Sequence, residues 1–156
     1  MSVQGTLTGK GEVNTLPTLL VVAHYDAMAA APSLAFGADS NGSGVTILLE
    51  LARLWNIMYR SSKSQPAYNL VFLLSGGGKA NFYGTKRFID LVKGEQAAGQ
   101  MGTAVHAAQV SPGTKVNIQE LMENVEFVIC LDSLGLDNQI NFHVSKPPKD
   151  TLPAAK

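Results

Sequence analysis

Three short apolar runs, each ending at a polar residue, constrain the fold of this chain more than any other feature. They cover residues 18–23, 69–74 and 125–131 and consist mainly of Val, Leu, Ile and Phe. Continuous apolar runs of this length are typical of strands that are buried on both faces, as in the parallel sheets of α/β proteins. Residues 139–144 alternate between polar and apolar, which predicts a further strand at the edge of the sheet.

Helical patterns separate these runs. Between residues 45 and 59, apolar side chains recur every three or four positions, which predicts an amphipathic helix. Residues 82–92 predict a shorter helix. Apolar strands that alternate with helices indicate a three-layer α/β/α domain with a largely parallel central sheet.

Composition suggests where this domain begins and ends. Residues 1–15 are polar and Gly-rich and are set apart as an N-terminal segment, so the α/β domain is expected to cover 16–145. Residues 94–116 are rich in Ala, Gly, Gln, Ser and Thr and predict a flexible surface insertion within it. Residues 146–156 are expected to form an extended C-terminal tail.

Charge and cysteine content exclude some functions. Twelve Lys and Arg balance twelve Asp and Glu, so no basic excess indicates a nucleic-acid partner. The single cysteine, Cys130, lies within an apolar run and is expected to be buried and unreactive. The first residues lack the pattern of a signal peptide, and no apolar run is long enough to span a bilayer.

Potential zinc ligands lie near the ends of the predicted strands. His24 and Asp26 follow the first strand, Asp132 follows the third, and Asp39 precedes the first helix. The carboxyl ends of the strands are where open α/β sheets bind ligands, and imidazole and carboxylate groups both bind zinc. Asp26 could orient the imidazole of His24. In the alternative interpretation, Asp39 caps the helix, His24 is a hydrogen-bonded residue at a strand end, and Asp132 belongs to a turn.

Two further motifs have weaker functional interpretations. The run Ser75-Gly76-Gly77-Gly78-Lys79 departs from the phosphate-loop pattern because Lys79 precedes Ala80, so a tight glycine turn is favoured over nucleotide binding. Asn41-Gly42-Ser43 is a candidate N-glycosylation sequence.

Taken together, the polar motifs resemble the metal-binding signatures of the di-zinc aminopeptidase family. The matching segments are His24-Tyr25-Asp26, Gly37-Ala38-Asp39-Ser40-Asn41-Gly42-Ser43-Gly44 and Leu131-Asp132-Ser133. In that family a Glu-Glu pair precedes a Gly-Ser or Gly-Thr turn, and here Gly78 and Lys79 occupy its place ahead of Gly84-Thr85. The resemblance implies that the general base and one metal ligand are lost, which leaves vestigial metal positions at His24, Asp26, Asp39 and Asp132.

This departure predicts a protein without catalytic residues, metal or cofactor. A lysine ammonium roughly 4 Å from a dication would be repelled by about 8 kcal/mol at an effective dielectric near 20. Replacing both Gly78 and Lys79 by glutamate is expected to raise metal affinity. The alternative is a zinc-dependent, aminopeptidase-like hydrolase that retains a partial metal site.

One non-catalytic branch of that superfamily, the nicastrin-related nicalins, is more similar still. The similarity is carried by residues 75–79, by Gly84-Thr85-Lys86-Arg87, by Ala67-Tyr68-Asn69-Leu70 and by His143-Val144-Ser145-Lys146-Pro147-Pro148-Lys149. It implies an incomplete peptidase-like domain on the lumenal side of the endoplasmic-reticulum membrane, in a glycoprotein anchored by a segment absent from this chain.

The resemblance to nicalins also implies partners and a role. The implied partners are Nodal modulator and a small multipass membrane subunit, in a translocon-associated complex. The implied role is a scaffold in membrane-protein biogenesis that also modulates Nodal signalling.

Overall fold

A mixed sheet forms the centre of the protein. The computed structural model describes residues 2–93, 106–109, 118–136 and 138–144. In these residues, five strands lie side by side in the order β4-β1-β3-β2-β5. They are β1 (Ser2–Leu7), β2 (Thr18–His24), β3 (Asn69–Ser75), β4 (His106–Gln109) and β5 (Val125–Leu131). β1 runs antiparallel to β3 and the other neighbouring pairs are parallel, which confirms the prediction of a largely parallel sheet.

Helices cover both faces of this sheet. The helix α1 (Gly44–Tyr59) lies on one face, and α2 (Tyr83–Val92) and α3 (Ile118–Glu123) lie on the other. The buried side chains form two clusters. On the α1 side these are Leu7, Val21, Ala23, Leu48, Tyr59, Leu70 and Phe72, and on the other side Leu20, Val71, Leu73, Phe88 and Leu121. Because successive residues of β2 and β3 point to opposite faces, both clusters draw on the same strands, and the predicted three-layer architecture is confirmed.

The apolar face of α1, which is visible in the sequence as a repeat of apolar residues, packs against the sheet. Leu48 is fully buried, and Val45, Ala52, Trp55 and Met58 pack against the same cluster. The indole ring of Trp55 lies 5.8 Å, centroid to centroid, from the phenyl ring of Phe72 on β3. Truncating a core leucine of this kind costs about 2–5 kcal/mol, so this face fixes the position of the helix.

Parallel pairing brings the polar ends of three strands to one edge of the sheet. β2 pairs with β3 from Thr18 opposite Asn69 to His24 opposite Ser75. β2 also pairs with β5 up to Ala23 opposite Leu131. The segments that follow His24, Ser75 and Leu131 therefore emerge side by side.

Two strands lie in segments that composition sets apart from the domain. β1 falls within the polar segment 1–15, and β4, which pairs with β1, falls within the predicted insertion 94–116. The rest of that insertion, apart from its residues 106–109, lies outside the described residues. β1 escapes sequence analysis because it carries Gln4, whose side chain is buried despite being polar. The sheet therefore extends across the expected boundary at residue 16.

The strand β5 is less buried than its composition predicts. It lies at the edge of the described sheet, and the side chain of Phe127 is 61% exposed. Cys130, expected to be buried, is exposed. The fold nevertheless covers part of this residue. That partial burial, together with the nearby carboxylate of Asp132, raises the pKa of the Cys130 thiol, so little of the thiol is deprotonated at neutral pH. An apolar run indicates a strand, but it does not report whether a second neighbour covers that strand.

The predicted edge strand at residues 139–144 is absent from the structure. The described residues 138–144 form no strand, and Ile140, Phe142 and Val144 are exposed, with Phe142 at 89%. An alternating polar and apolar sequence forms a strand only where the edge of another strand is available for pairing. None of the described strands pairs with this segment. The exposed apolar side chains here and on β5 are consistent with an incomplete α/β domain. The predicted tail 146–156 lies outside the described residues.

None of the described helices combines the length and the apolar character needed to cross a membrane.

Candidate functional site

His24 and Asp132 come together at the carboxyl edge of the sheet. The imidazole Nε2 lies 4.0 Å from the Asp132 carboxylate Oδ1, which is too long for a hydrogen bond. His24 is only 8% exposed and its Nε2 has no hydrogen-bond partner among the described residues, whereas the side chain of Asp132 is 53% exposed. A buried polar nitrogen without a partner is costly, so this atom marks the most unusual point of the edge.

Asp26 makes a different contact from the expected one. Its carboxylate Oδ1 accepts a hydrogen bond of 3.0 Å from the backbone N–H of Gly78. The predicted contact would have been to the imidazole of His24. Asp26 instead ties the end of β2 to the turn that follows β3.

The backbone of that turn packs closely against the side chain of His24. Gly78 is buried, and a β-carbon built at this position would lie 2.5–2.6 Å from Cγ, Cβ and Cδ2 of His24. Real β-carbons essentially never approach other atoms so closely. Gly78 therefore fits this place because it has no side chain.

Lys79, in contrast, is exposed. Water and salt screen an exposed ammonium group, so the repulsion between Lys79 and a metal dication would be weaker than the value expected from the sequence for a pair roughly 4 Å apart. The steric effect of Gly78 is the stronger departure from a hydrolytic site.

Asp39 anchors the loop after β5. It lies in a π-helical turn, Ala38–Ser43, that leads into α1. Its Oδ1 accepts a hydrogen bond of 2.7 Å from the backbone N–H of Gly135. Asp39 does not cap α1 as expected, because the N-cap residue is Ser43 and, within the part of the chain that the structure describes, no side chain caps this end.

Ser43 completes the same junction, and its role is not evident from the sequence. Its hydroxyl donates to the backbone oxygen of Asp39 over 2.5 Å and accepts from the backbone N–H of Leu134 over 2.9 Å. The only sequence signal for this role is a small polar residue inside the Gly-rich motif.

The four predicted metal positions do not assemble into a di-zinc centre. His24 and Asp132 approach each other, while the carboxylates of Asp26 and Asp39 each accept a backbone N–H. Among the described residues, no three His, Cys, Asp or Glu side chains lie close enough together to hold a metal ion. This donor set does not fit two zinc ions, which need more carboxylate and imidazole ligands than converge here.

Comparison with known proteins places this edge in context. The family description that matches the chain is Peptidase family M28, over residues 2–152. The chain belongs to peptidase family M28. The predicted relationship to a peptidase superfamily is thus confirmed, and the incomplete α/β fold is consistent with an M28 domain.

Individual M28 relatives support the resemblance to nicalins. The chain is 45% identical over 152 residues to "BOS complex subunit ncln" of Danio rerio and 45% identical over 149 residues to "BOS complex subunit NCLN" of Homo sapiens. It is 34% identical over 142 residues to "Nicalin" of Caenorhabditis elegans. These similarities cover 97%, 96% and 90% of the chain but 23% of each relative. The predicted similarity to nicalins is confirmed, and the chain spans about a quarter of their length.

The candidate glycosylation residue, Asn41, is buried within the π-helical turn Ala38–Ser43. Its Nδ2 donates a hydrogen bond of 2.9 Å to the backbone oxygen of Tyr25. Gly37 lies so close that a β-carbon there would collide with the amide oxygen of Asn41. Asn41 thus joins the π-helical turn to the end of β2.

Proposed function

We propose that this protein is a non-catalytic member of peptidase family M28 that acts through contacts with other proteins. The observation that supports this most is the packing of Gly78 on His24, because it leaves no room for a side chain at the position expected for the catalytic base. Peptide hydrolysis by zinc needs a carboxylate that takes the proton of the attacking water. Neither Gly78 nor the exposed, cationic Lys79 supplies one.

Two other carboxylates at this edge are already engaged with the backbone and are poorly placed to replace the missing base. The carboxylate of Asp26 already accepts the Gly78 N–H, and that of Asp39 accepts the Gly135 N–H. Both carboxylates hold backbone segments in place. We therefore propose that the polar residues inherited from a peptidase ancestor now stabilise the fold.

The relatives suggest what such a domain does. Those from fish and human are named as subunits of the BOS complex. We propose that this chain belongs to the corresponding subunit of a membrane complex in the endoplasmic reticulum, with the domain on the lumenal side. Its partners there would be Nodal modulator and a small multipass subunit. Its role would be that of a scaffold in membrane-protein biogenesis near the translocon, extending to Nodal signalling.

A second candidate function is a hydrolase with a partial metal site. It is favoured by the free Nε2 of His24, which faces the carboxylate of Asp132 at 4.0 Å, since these are two ligand types that zinc accepts. Two ligands hold an ion weakly, and a base would still be missing. This candidate is therefore the weaker of the two.

Cleavage assays on the intact protein separate the two candidates. The purified protein and its Asp132→Asn variant are incubated with amino-acid amide and peptide substrates in added zinc, with and without a chelator. Because Asp132 is largely exposed, the variant should fold normally and serve as a matched control. We expect equal, background-level cleavage in all samples. Chelator-sensitive cleavage that Asp132→Asn abolishes would establish the hydrolase instead.

Purification from detergent-solubilised membranes tests the scaffold role. We expect the intact protein to retain its membrane-embedded partners, and Asp132→Asn to retain them equally well, because assembly does not depend on the vestigial site. Recovery of the protein without any membrane-embedded partner would contradict the proposed role in a complex.

A further inference from the structure

We infer that Gly78 and Asp26 form a structural lock that holds the turn after β3 against His24 and keeps a carboxylate out of this site. The lock has two parts. A β-carbon at Gly78 would lie 2.5–2.6 Å from Cγ, Cβ and Cδ2 of His24, so there is no space for one, and the Asp26 carboxylate accepts the Gly78 N–H over 3.0 Å. Asp26, which the sequence suggests could orient the imidazole of His24, instead holds the backbone segment that packs against that imidazole.

The turn cannot easily move away to make room. The N–H groups of Phe82, Tyr83 and Gly84 donate to the backbone oxygens of Gly78, Gly77 and Gly76, over 3.2, 3.1 and 2.9 Å respectively. These bonds fold residues 76–84 into a compact unit between β3 and α2.

Two glycines tighten this unit. Gly77 has a φ of +73°, a conformation that favours glycine, and a β-carbon on Gly84 would collide with the backbone oxygen of Gly76. Any displacement of Gly78 therefore disturbs several backbone hydrogen bonds at once.

His24 cannot easily retreat either. It is the last residue of β2 and pairs with Ser75 of β3, and the preceding residue, Ala23, pairs with Leu131 of β5, so its backbone is held directly on one side and through Ala23 on the other. Its side chain is buried. A side chain added at position 78 must therefore strain either a central strand or the turn.

This geometry reverses one expectation from the sequence. Replacing Gly78 and Lys79 by glutamate was expected to raise metal affinity, but a glutamate at 78 collides with the imidazole that would have to bind the metal. The inference rests on the proposed non-catalytic role. Failure of this inference can be distinguished from failure of the proposed non-catalytic role. Unfolding and amide-exchange measurements test the packing at Gly78, whereas cleavage assays test whether the protein is an enzyme.

The first test compares alanine substitutions at adjacent positions in the intact protein. Gly78→Ala should lower the melting temperature by roughly 5 °C or more, because overpacking a close contact is destabilising. Lys79→Ala, at an exposed position, should change it by about 1 °C or less. Equal, small effects at both positions would overturn the lock.

A double-mutant cycle assigns the effect to His24. Contacting residues are coupled, so Gly78→Ala should lower the melting temperature less in a His24→Gly background, which removes the three atoms that the new β-carbon meets. An unchanged effect of Gly78→Ala in that background would show that the imidazole is not the obstacle.

Amide hydrogen exchange tests the Asp26 part of the lock and does not require the glycine variants to fold. Asp26→Ala removes the acceptor and should speed exchange of the Gly78 amide about tenfold or more, whereas Asp26→Asn retains an acceptor oxygen and should have a smaller effect. Unchanged exchange in Asp26→Ala would contradict the anchoring role.

Equilibrium dialysis with zinc tests the exclusion of a carboxylate. The Gly78→Glu, Lys79→Glu double variant should bind no more zinc than Lys79→Glu alone. If the double variant stays folded and gains one or more zinc ions per chain, the inference is overturned.

Discussion

The carboxylate of Asp39 accepts a hydrogen bond of 2.7 Å from the backbone N–H of Gly135, 96 residues further along the chain. The contact fastens the loop that carries Asp132 to the turn that begins α1. Together with the Ser43–Leu134 hydrogen bond, it makes the Gly-rich motif a clamp between two segments at the polar edge. Asp39 has the chemistry of a metal ligand, but in this fold its carboxylate holds two backbone segments together.

Removing the Asp39 carboxylate should loosen this loop. Asp39→Ala leaves the Gly135 N–H without its acceptor and should lower the free energy of unfolding by about 1 kcal/mol, since the bond is solvent-exposed. Asp39→Asn keeps an acceptor oxygen and should lose less. Denaturant unfolding of the three proteins measures the difference. A larger loss in Asp39→Asn than in Asp39→Ala would indicate that charge matters more than the hydrogen bond.

A second prediction concerns the first residue of α1. Gly44 is helical, and replacing a helical glycine by alanine normally stabilises by up to about 1 kcal/mol. Here a β-carbon would lie 2.5 Å from the backbone oxygen of Leu131 on β5, so Gly44→Ala should destabilise by about 1–3 kcal/mol instead.

Gly42→Ala is the matched control for Gly44→Ala. The nearest atom to a β-carbon at position 42 is the backbone oxygen of Gly37 at 3.4 Å, which is close to ordinary contact. Chemical denaturation should show a much smaller effect for Gly42→Ala. A stabilising Gly44→Ala would mean that α1 does not approach β5 as closely as the structure indicates.

Sequence patterns predict the elements that carry a strong apolar signal. They locate β2, β3, β5, α1 and α2, and they place His24 and Asp132 at a common edge. They miss β1 and β4, because a strand of mixed composition owes its place to backbone pairing that local composition does not encode. They also overestimate the burial of β5, since burial depends on neighbours contributed by other parts of the fold.

The site is predictable in position but not in contacts. The motifs identify Gly78 as the residue in place of a glutamate. Only the fold shows that a side chain at this position would collide with His24. Asp26 and Asp39 find their backbone partners 52 and 96 residues away, and every non-proline residue carries an N–H, so no sequence pattern marks Gly78 or Gly135 as the donors. Ligand-type residues therefore predict a site only where nothing else in the fold engages them.

The burial of Asn41 predicts that the folded protein carries no glycan there. A glycan would be attached to Nδ2, which donates to the Tyr25 backbone oxygen inside the fold. The sugar would replace one of the two Nδ2 hydrogens and would have to fit beside this buried contact, so modification before folding should hinder formation of the turn. Glycosidase treatment and mass analysis of folded protein that has been expressed through the secretory pathway of a host cell should show an unmodified Asn41. Detection of a glycan at Asn41 in properly folded protein would contradict the structure of this turn.

A final prediction concerns alkaline pH and Tyr59, the last residue of α1. Its hydroxyl donates to the backbone oxygen of Tyr68 over 2.7 Å, and burial raises the pKa of Tyr59 to about 12. An unfolded tyrosine titrates near pH 10, so the neutral phenol stabilises the fold below about pH 10, and this contribution is lost as the pH rises towards 12. Tyr59→Phe lacks the ionisable group, so its melting temperature should fall less steeply over that window. The wild-type minus Tyr59→Phe difference in absorbance at alkaline pH should give the same raised pKa. If the melting temperatures of the two proteins fell equally steeply between pH 10 and 12, the phenol of Tyr59 would not be buried.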